Sequence, residues 1–169
     1  MKKDHVDTVL EQWEKERPDL DSSPMAVMGR LVRTSSFFHA ELQKVFSTFS
    51  LNSGEFDVLA TLLRTGKPYE LTPNQLLNTL MLSSGAMTNR VDRLEAKGYV
   101  KRSPDPNDRR GVLVSLTDEG YKLISEVIVA HVDKGNFLVS PLSKQEQTEL
   151  ADLLKKLILA HQKNDSSIS

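Results

Sequence analysis

Along most of this chain apolar residues recur at intervals of three and four, the spacing of one helical face; only one short stretch alternates instead. Val6, Val9, Leu10 and Trp13 form the first such stripe, over residues 4 to 16, and Pro18 stops its helix. Ser23-Pro24 is a cap-plus-proline start for a helix reaching about Phe49, roughly 37 Å at 1.5 Å per residue. Its apolar residues Met28, Leu31, Val32, Phe38, Leu42, Val45, Phe46 and Phe49 exceed one buried stripe, so part of that surface is expected to face a second subunit. Ser53 is expected to cap a helix with Phe56, Leu59, Ala60 and Leu63 inward, ending near Gly66-Lys67-Pro68. Thr72-Pro73 opens the next, with Leu76, Leu77 and Leu80 inward, and Ser83 or Ser84 caps a further one that Gly98 ends. Tyr99 to Arg102 and Gly111 to Leu116 are the alternating stretch, with Val112, Val114 and Leu116 on one face. Thr117 caps a helix to about Asp133 lined by Ile124, Val127 and Ile128. Ser143 and Glu146 form a capping box for a last helix carrying Leu150, Leu153, Leu154, Leu157 and Ile158.

The order is five helices, a two-stranded hairpin and two helices. The expected fold is mainly α with a small β-hairpin: a winged helix-turn-helix domain plus a helical dimerisation region. Its parts are an extra amino-terminal helix and linker (1–22), a long scaffold and dimerisation helix (23–50), the winged helix-turn-helix (51–117), two carboxyl-terminal dimerisation helices (118–163) and a disordered tail (164–169).

Composition narrows the function. At 38% apolar and 27% charged residues the chain reads as an ordinary globular protein, and without cysteine it has no disulfide scaffold and no thiolate metal site. Its amino terminus lacks the apolar core of a secretory signal, and its longest uncharged run, Leu71 to Asn89, is too polar to span a membrane, so a cytoplasmic protein is expected. No phosphate-binding glycine loop, nucleophile elbow or His-Glu-x-x-His motif is present, and the histidines at 5, 39, 131 and 161 are scattered. An enzyme is therefore not expected, nor a metal or other cofactor. The net charge of −1 argues against a nucleic-acid binder, but its distribution does not. From Ser83 to Leu113 seven cationic residues face four acidic ones, an island of +3 on a body of −4, as when one face meets phosphate.

Two short helices joined by a tight turn and followed by a hairpin make a winged helix-turn-helix, whose second helix lies in the major groove. With Ala86, Met87, Val91 and Leu94 inward, Ser84, Gly85, Thr88, Asn89 and Arg93 point outward. Asn pairs with adenine and Arg with guanine, while Ser, Thr and free backbone N–H groups hold phosphates. Asn74, Ser83, Ser84, Gly85, Thr88, Asn89 and Arg93 are thus candidate contacts to double-stranded DNA. They are joined by Arg109 and Arg110 on a hairpin tip built from Pro104, Pro106, Asn107, Asp108 and Gly111.

These residues resemble the MarR family of bacterial transcription regulators. Leu71 to Leu82, Ser83 to Val100 and the wing Asp105-Pro-Asn-Asp-Arg-Arg-Gly-Val-Leu-Val-Ser-Leu-Thr-Asp-Glu-Gly120 carry the likeness, over about 130 residues. It implies a nucleoid-associated homodimer clamped by its terminal helices on a pseudo-palindromic operator, with Arg110 in the minor groove and Asp108 orienting the tip. Trp13, Glu16-Arg-Pro-Asp-Leu-Asp21 and Pro24 to Arg33 look like the PecS-type, urate-responsive branch. That likeness implies a ligand set of Trp13, Asp57, Arg64 and Arg90, and an anionic, urate-like purine as effector. Asp57 and Arg64 are two turns apart, roughly 10 Å along the axis, so each needs another partner. Asp57 can pair with Arg90, while Arg64 and Trp13 can hold a flat anion. Two alternatives stand: a regulator of efflux or stress genes with a different phenolic or aromatic effector, and a winged-helix module that binds protein instead of DNA.

Overall fold

Short polar side chains replace the missing intrahelical acceptors where the helices begin. The computed structural model describes residues 2–80, 84–106 and 108–165, with the side chains of Ser84, Arg109 and 162–165 outside that description. Its helices are α1 (His5–Glu16), α2 (Ser23–Thr48), α3 (Ser53–Arg64), α4 (Pro73–Leu80), α5 (Ser84–Ala96), α6 (Asp118–Val139) and α7 (Lys144–Asp165). Its strands are β1 (Glu70–Leu71), β2 (Val100–Asp105) and β3 (Asp108–Leu116). Asn52, not Ser53, caps α3: its Oδ1 accepts the Glu55 N–H at 2.9 Å while Glu55 Oε2 accepts the Asn52 N–H at 3.0 Å. The same box forms between Thr72 and Gln75 ahead of α4 and between Ser143 and Glu146 ahead of α7. α2 starts one residue before expectation, with Ser22 at the cap and no side-chain bond there. α6 runs six residues past the expected Asp133.

The chain divides into two compact units, Met1–His131 and Val132–Ser169. The first holds the core, in which Val58, Leu59 and Leu62 of α3 meet Leu76 of α4, Leu94 of α5, Val114 of β3 and Ile124 of α6. α3 is thus buried over more of its surface than the expected stripe. Arg30 on α2 fastens α1: its Nε donates to Asp4 Oδ2 at 2.9 Å and its Nη2 to Asp7 Oδ1 at 2.6 Å. In the second unit the Gln147 amide closes the α6–α7 turn by donating to the Val139 and Leu142 carbonyls at 3.1 and 2.9 Å.

The sheet differs from the expected hairpin in having three antiparallel strands in the order β1-β3-β2. β1 pairs Glu70 with Ser115 and Leu71 with Val114, and at two residues it is too short to leave a periodic signal. The hairpin is also longer and its tip tighter than expected. Pro104 lies inside β2 opposite Val112, and Arg109 and Arg110 belong to β3 instead of a loop. Val114 and Leu116 are buried as expected but Val112 is exposed, because it lies out along the ribbon beyond the core.

At the root of the wing Gly120 lets α6 close on β2, since a Cβ there would lie 1.9 Å from the Tyr99 carbonyl oxygen. Backbone cannot swing aside as a side chain can. Gly120→Ala should therefore cost about 3 kcal/mol, measured by denaturant midpoint. Gly135→Ala, which meets nothing within 4 Å, should be neutral or stabilising.

Candidate nucleic-acid interface and ligand junction

α5 turns Met87, Val91 and Leu94 into the core and leaves Gly85, Thr88, Asn89 and Arg93 exposed, as its pattern requires. Ser84 is its first residue, and Ser83 lies outside the described residues. Asn74, near the start of α4, lines a groove of about 350 Å³ together with Arg110 of β3, Asp105, Asp108 and Val112. Asp108 Oδ1 accepts the Arg110 N–H at 2.9 Å and so fixes the backbone from which that arginine projects. Gly111 permits the turn, because a Cβ there would come within 2.8 Å of the Asp105 Cβ. Arg93 and Arg110 make no ion pair among the described residues, so both charges are available to a phosphate or a base edge.

Other members of the basic island are spent inside the protein. Arg102 of β2 binds Glu95 through Nη1 and Asp92 through Nη2 at 2.6 Å, and its N–H donates to Glu95 Oε1 at 3.1 Å. β2 is thereby latched to α5, so the wing and the outward helix are joined by charge as well as by chain. Lys97 donates to both oxygens of buried Glu55, at 2.8 and 2.9 Å, and to the Ser50 carbonyl at 2.9 Å. Neither latch was visible in the sequence, although the Asn52-x-x-Glu55 spacing marks Glu55 as a capping residue and Lys97 follows Arg90 by two turns.

Of the expected ligand set, Asp57 and Arg90 are brought together. Arg90 Nη1 stands 3.7 Å from Asp57 Oδ2, an ion pair beyond hydrogen-bond range that contributes no more than about 1 kcal/mol after solvent screening. The same Nη1 is buried and has no hydrogen-bond partner. Burial pushes the Asp57 carboxyl above its ordinary range, while Arg90, His131 and His39 pull it back down. Two histidines far apart in sequence therefore converge on Asp57. The His131 ring stacks on Phe56 at 4.8 Å and on Phe46 at 5.7 Å, and its Nδ1 is a second buried atom without a partner. Arg64 and Trp13 stand apart. Arg64 is exposed, its Nη2 only 3.5 Å from Thr61 Oγ1 on its own helix, and Trp13 is 38% exposed on α1. No hydrogen bond or ion pair among the described residues joins either of them to Asp57 or Arg90.

A pair of short helices with an exposed outer face on the second, followed by a hairpin latched to that second helix, defines a winged helix-turn-helix. A family model described as the MarR family matches residues 49–111. The chain is 45% identical over 152 residues to the HTH-type transcriptional regulator PecS of Dickeya dadantii strain 3937, covering 90% of this chain and 92% of that protein. It is also similar to the crystal structure of a cysteine-to-serine mutant of MarR from E. coli complexed with operator DNA, at TM-score 0.69 and 30% identity over 86% of this chain and 96% of that one. A third similar structure is Bordetella bronchiseptica BpsR, described for regulation of its DNA binding by 6-hydroxynicotinic acid, at TM-score 0.68 and 25% identity over 78% of this chain and 98% of that one. The chain belongs to the MarR family of transcriptional regulators, on its PecS-like branch.

Burial lowers the His131 pKa below its ordinary 6.5 against a smaller upward pull from Asp57, so the folded protein favours the neutral ring. The stability this ring contributes is complete above that value and is lost as pH falls through it, because the unfolded chain then binds the extra proton. Thermal midpoints of the wild type should fall between about pH 8 and about pH 5, and His131→Phe, which keeps the aromatic stack, should fall less. Parallel curves would show that burial of this ring is not felt.

Proposed function

We propose that this chain is a homodimeric, cytoplasmic and nucleoid-associated regulator, normally a repressor, that binds a pseudo-palindromic operator and is released or remodelled by a small planar anion. The observation that carries it is the Asp57–Arg90 pair, which spans from the body of the domain to the outward helix α5. In this reading Ser83, Ser84, Gly85, Thr88, Asn89 and Arg93 meet the major groove. Asn74 meets phosphate, and Arg109 and Arg110 meet the minor groove, with Asp108 orienting the wing. Support for a DNA partner comes from the similar MarR structure with operator DNA, and from cations concentrated on α5 and β3 while the chain as a whole is slightly acidic.

A dimer is supported by two apolar faces that a single chain leaves in water. Val27, Met28, Leu31 and Val32 are exposed on α2, and Leu150, Leu153, Leu157 and Ile158 are exposed at helical spacing on α7. Both faces lie on helices expected to meet the partner subunit.

The effector reading assigns Arg64 and Trp13 to hold a flat anionic ring, urate or a related purine, by charge and stacking. Its negative charge beside Asp57 repels a carboxylate that burial already disfavours, weakens the hold on Arg90 and shifts α5. Such differential contact in the two states is what coupling requires. The regulation of BpsR by a hydroxylated nicotinic acid supports a planar aromatic acid as the effector class.

Purified protein should retard its own promoter DNA with an affinity that falls steeply with salt, and half-site centres should lie about 10 bp apart. No retardation at low salt would remove the regulator reading, and footprinting would then have nothing to map. Arg110→Ala should weaken binding about tenfold without changing the melting midpoint. Urate stacking on the sole tryptophan, Trp13, should quench its fluorescence and loosen DNA at the same concentrations, whereas Arg64→Ala should lose both responses yet retain DNA binding. A flat titration with urate, xanthine and hypoxanthine would leave the regulator and point to a different phenolic or aromatic effector.

A further inference from the structure

Gly54 and Glu55 are neighbours in the first turn of α3, and they meet the same face of α5 at two places, Gly54 at Arg90 in the middle of the helix and Glu55 at Lys97 just past its carboxyl-terminal end. Glu55 is 2% exposed and takes Lys97 on both oxygens, while Lys97 also reaches the Ser50 carbonyl. Three charge-assisted hydrogen bonds from one ammonium, two of them to a buried carboxylate, make the carboxyl-terminal end of α5 a fixed point. Two turns earlier Arg90 is held differently. Its guanidinium lies on Gly54, where a Cβ would come within 2.6 Å of both Cζ and Nε. Its Nη1 has no hydrogen bond, and its ion-pair partner, Asp57, stands 3.7 Å away. Shape and weak charge, without a hydrogen bond to Nη1, keep it in place.

We propose that Gly54 is the positioning residue that seats Arg90, and that Glu55–Lys97 is the pivot about which the amino-terminal half of α5 moves when that seat is disturbed. The functional part of this inference rests on the reading of α5 as the DNA-contacting helix. The direction of movement follows from the unequal attachments. Arg102 latches β2 to Asp92 and Glu95, on the pivot side of α5, so the wing stays with the fixed half. Gly85, Thr88 and Asn89 lie on the other half. Disturbing the seat therefore changes the offset between those residues and Arg110, two groups that must fit one duplex together. The three atoms nearest a Cβ added at Gly54 all belong to the far end of a flexible arginine, so such a substitution displaces Arg90 in preference to breaking α3.

Hydrogen exchange on the full-length protein, with promoter retardation beside it, tests the inference. Gly54→Ala should melt as the wild type does, yet exchange faster over residues 85–91 while 92–97 stays protected. Its promoter affinity should fall about tenfold, the size of a coupling change of roughly 1.4 kcal/mol. Glu55→Gln should release 92–97 instead. In an Arg90→Ala background Gly54→Ala should add nothing, because no guanidinium remains to displace. Unchanged exchange over 85–91, or an equal added effect in that background, would overturn the assignment. Should Gly54→Ala fail to fold, Arg90→Lys, which keeps the charge and removes the planar group, must release the same residues. If the wild type does not retard DNA the regulator reading fails, and the exchange pattern alone still decides the seat and the pivot.

Discussion

α5 is tied to α3 at two points of unequal strength, and the behaviour of the site depends on that inequality. At Lys97 a buried carboxylate, an ammonium and a backbone carbonyl satisfy one another within 2.9 Å. At Arg90 a guanidinium nitrogen is buried without a partner, which costs roughly 1–3 kcal/mol relative to a satisfied group. A helix pinned firmly at both points would be a rigid part of the domain, and one pinned at neither would not present its outer face in a defined position. In the proposed reading, one firm and one weak tie let a modest change in charge at Asp57 bias the position of α5 while the core around Leu59, Leu62 and Leu94 stays packed.

The charge pattern acquires its meaning from the same contacts. Seven cationic residues between Ser83 and Leu113 suggested one basic face, yet Lys97 and Arg102 are held by Glu55, Asp92 and Glu95 inside the protein, and Arg90 is turned toward Asp57. Among the described side chains Arg93, Lys101 and Arg110 are left without an ion pair, and two of them, Arg93 and Arg110, stand on the outer helix and toward the tip of the wing. In the proposed reading these two touch DNA, while the spent cations set where they point. Asp57 stands at the junction of both roles, with His39 on α2, His131 on α6 and Arg90 on α5 around it. Burial raises its carboxyl above the ordinary range, a direction that suits a group whose proposed task is to respond to an arriving anion.

Periodicity made the helices legible, because α1 to α7 each carry apolar residues at helical spacing, and the Thr72, Thr117 and Ser143 caps mark starts that the structure keeps. The inward and outward faces of α5 were readable for the same reason. β1 was not, since two residues carry no period, and the wing was read too short because Pro104 and Asp105 look like turn residues while lying in a strand edge. Pairings between distant residues were the other gap. Asp57 and Arg90 were joined only through a resemblance, and Lys97 with Glu55, Arg102 with Asp92, and His131 with Phe56 have no local signature at all. Such contacts are fixed by tertiary packing, and in the proposed reading they are the ones that position the outer face.

The most direct measurement is a double-mutant cycle across Asp57 and Arg90, using Asp57→Asn and Arg90→Gln, read as promoter affinity without urate and with saturating urate. Without urate the two changes should be non-additive by at least about 0.5 kcal/mol, and with urate that interaction energy should vanish because the ligand has already broken the tie. Additive effects in both conditions, or a coupling that urate leaves untouched, would contradict a link between effector and DNA through this pair.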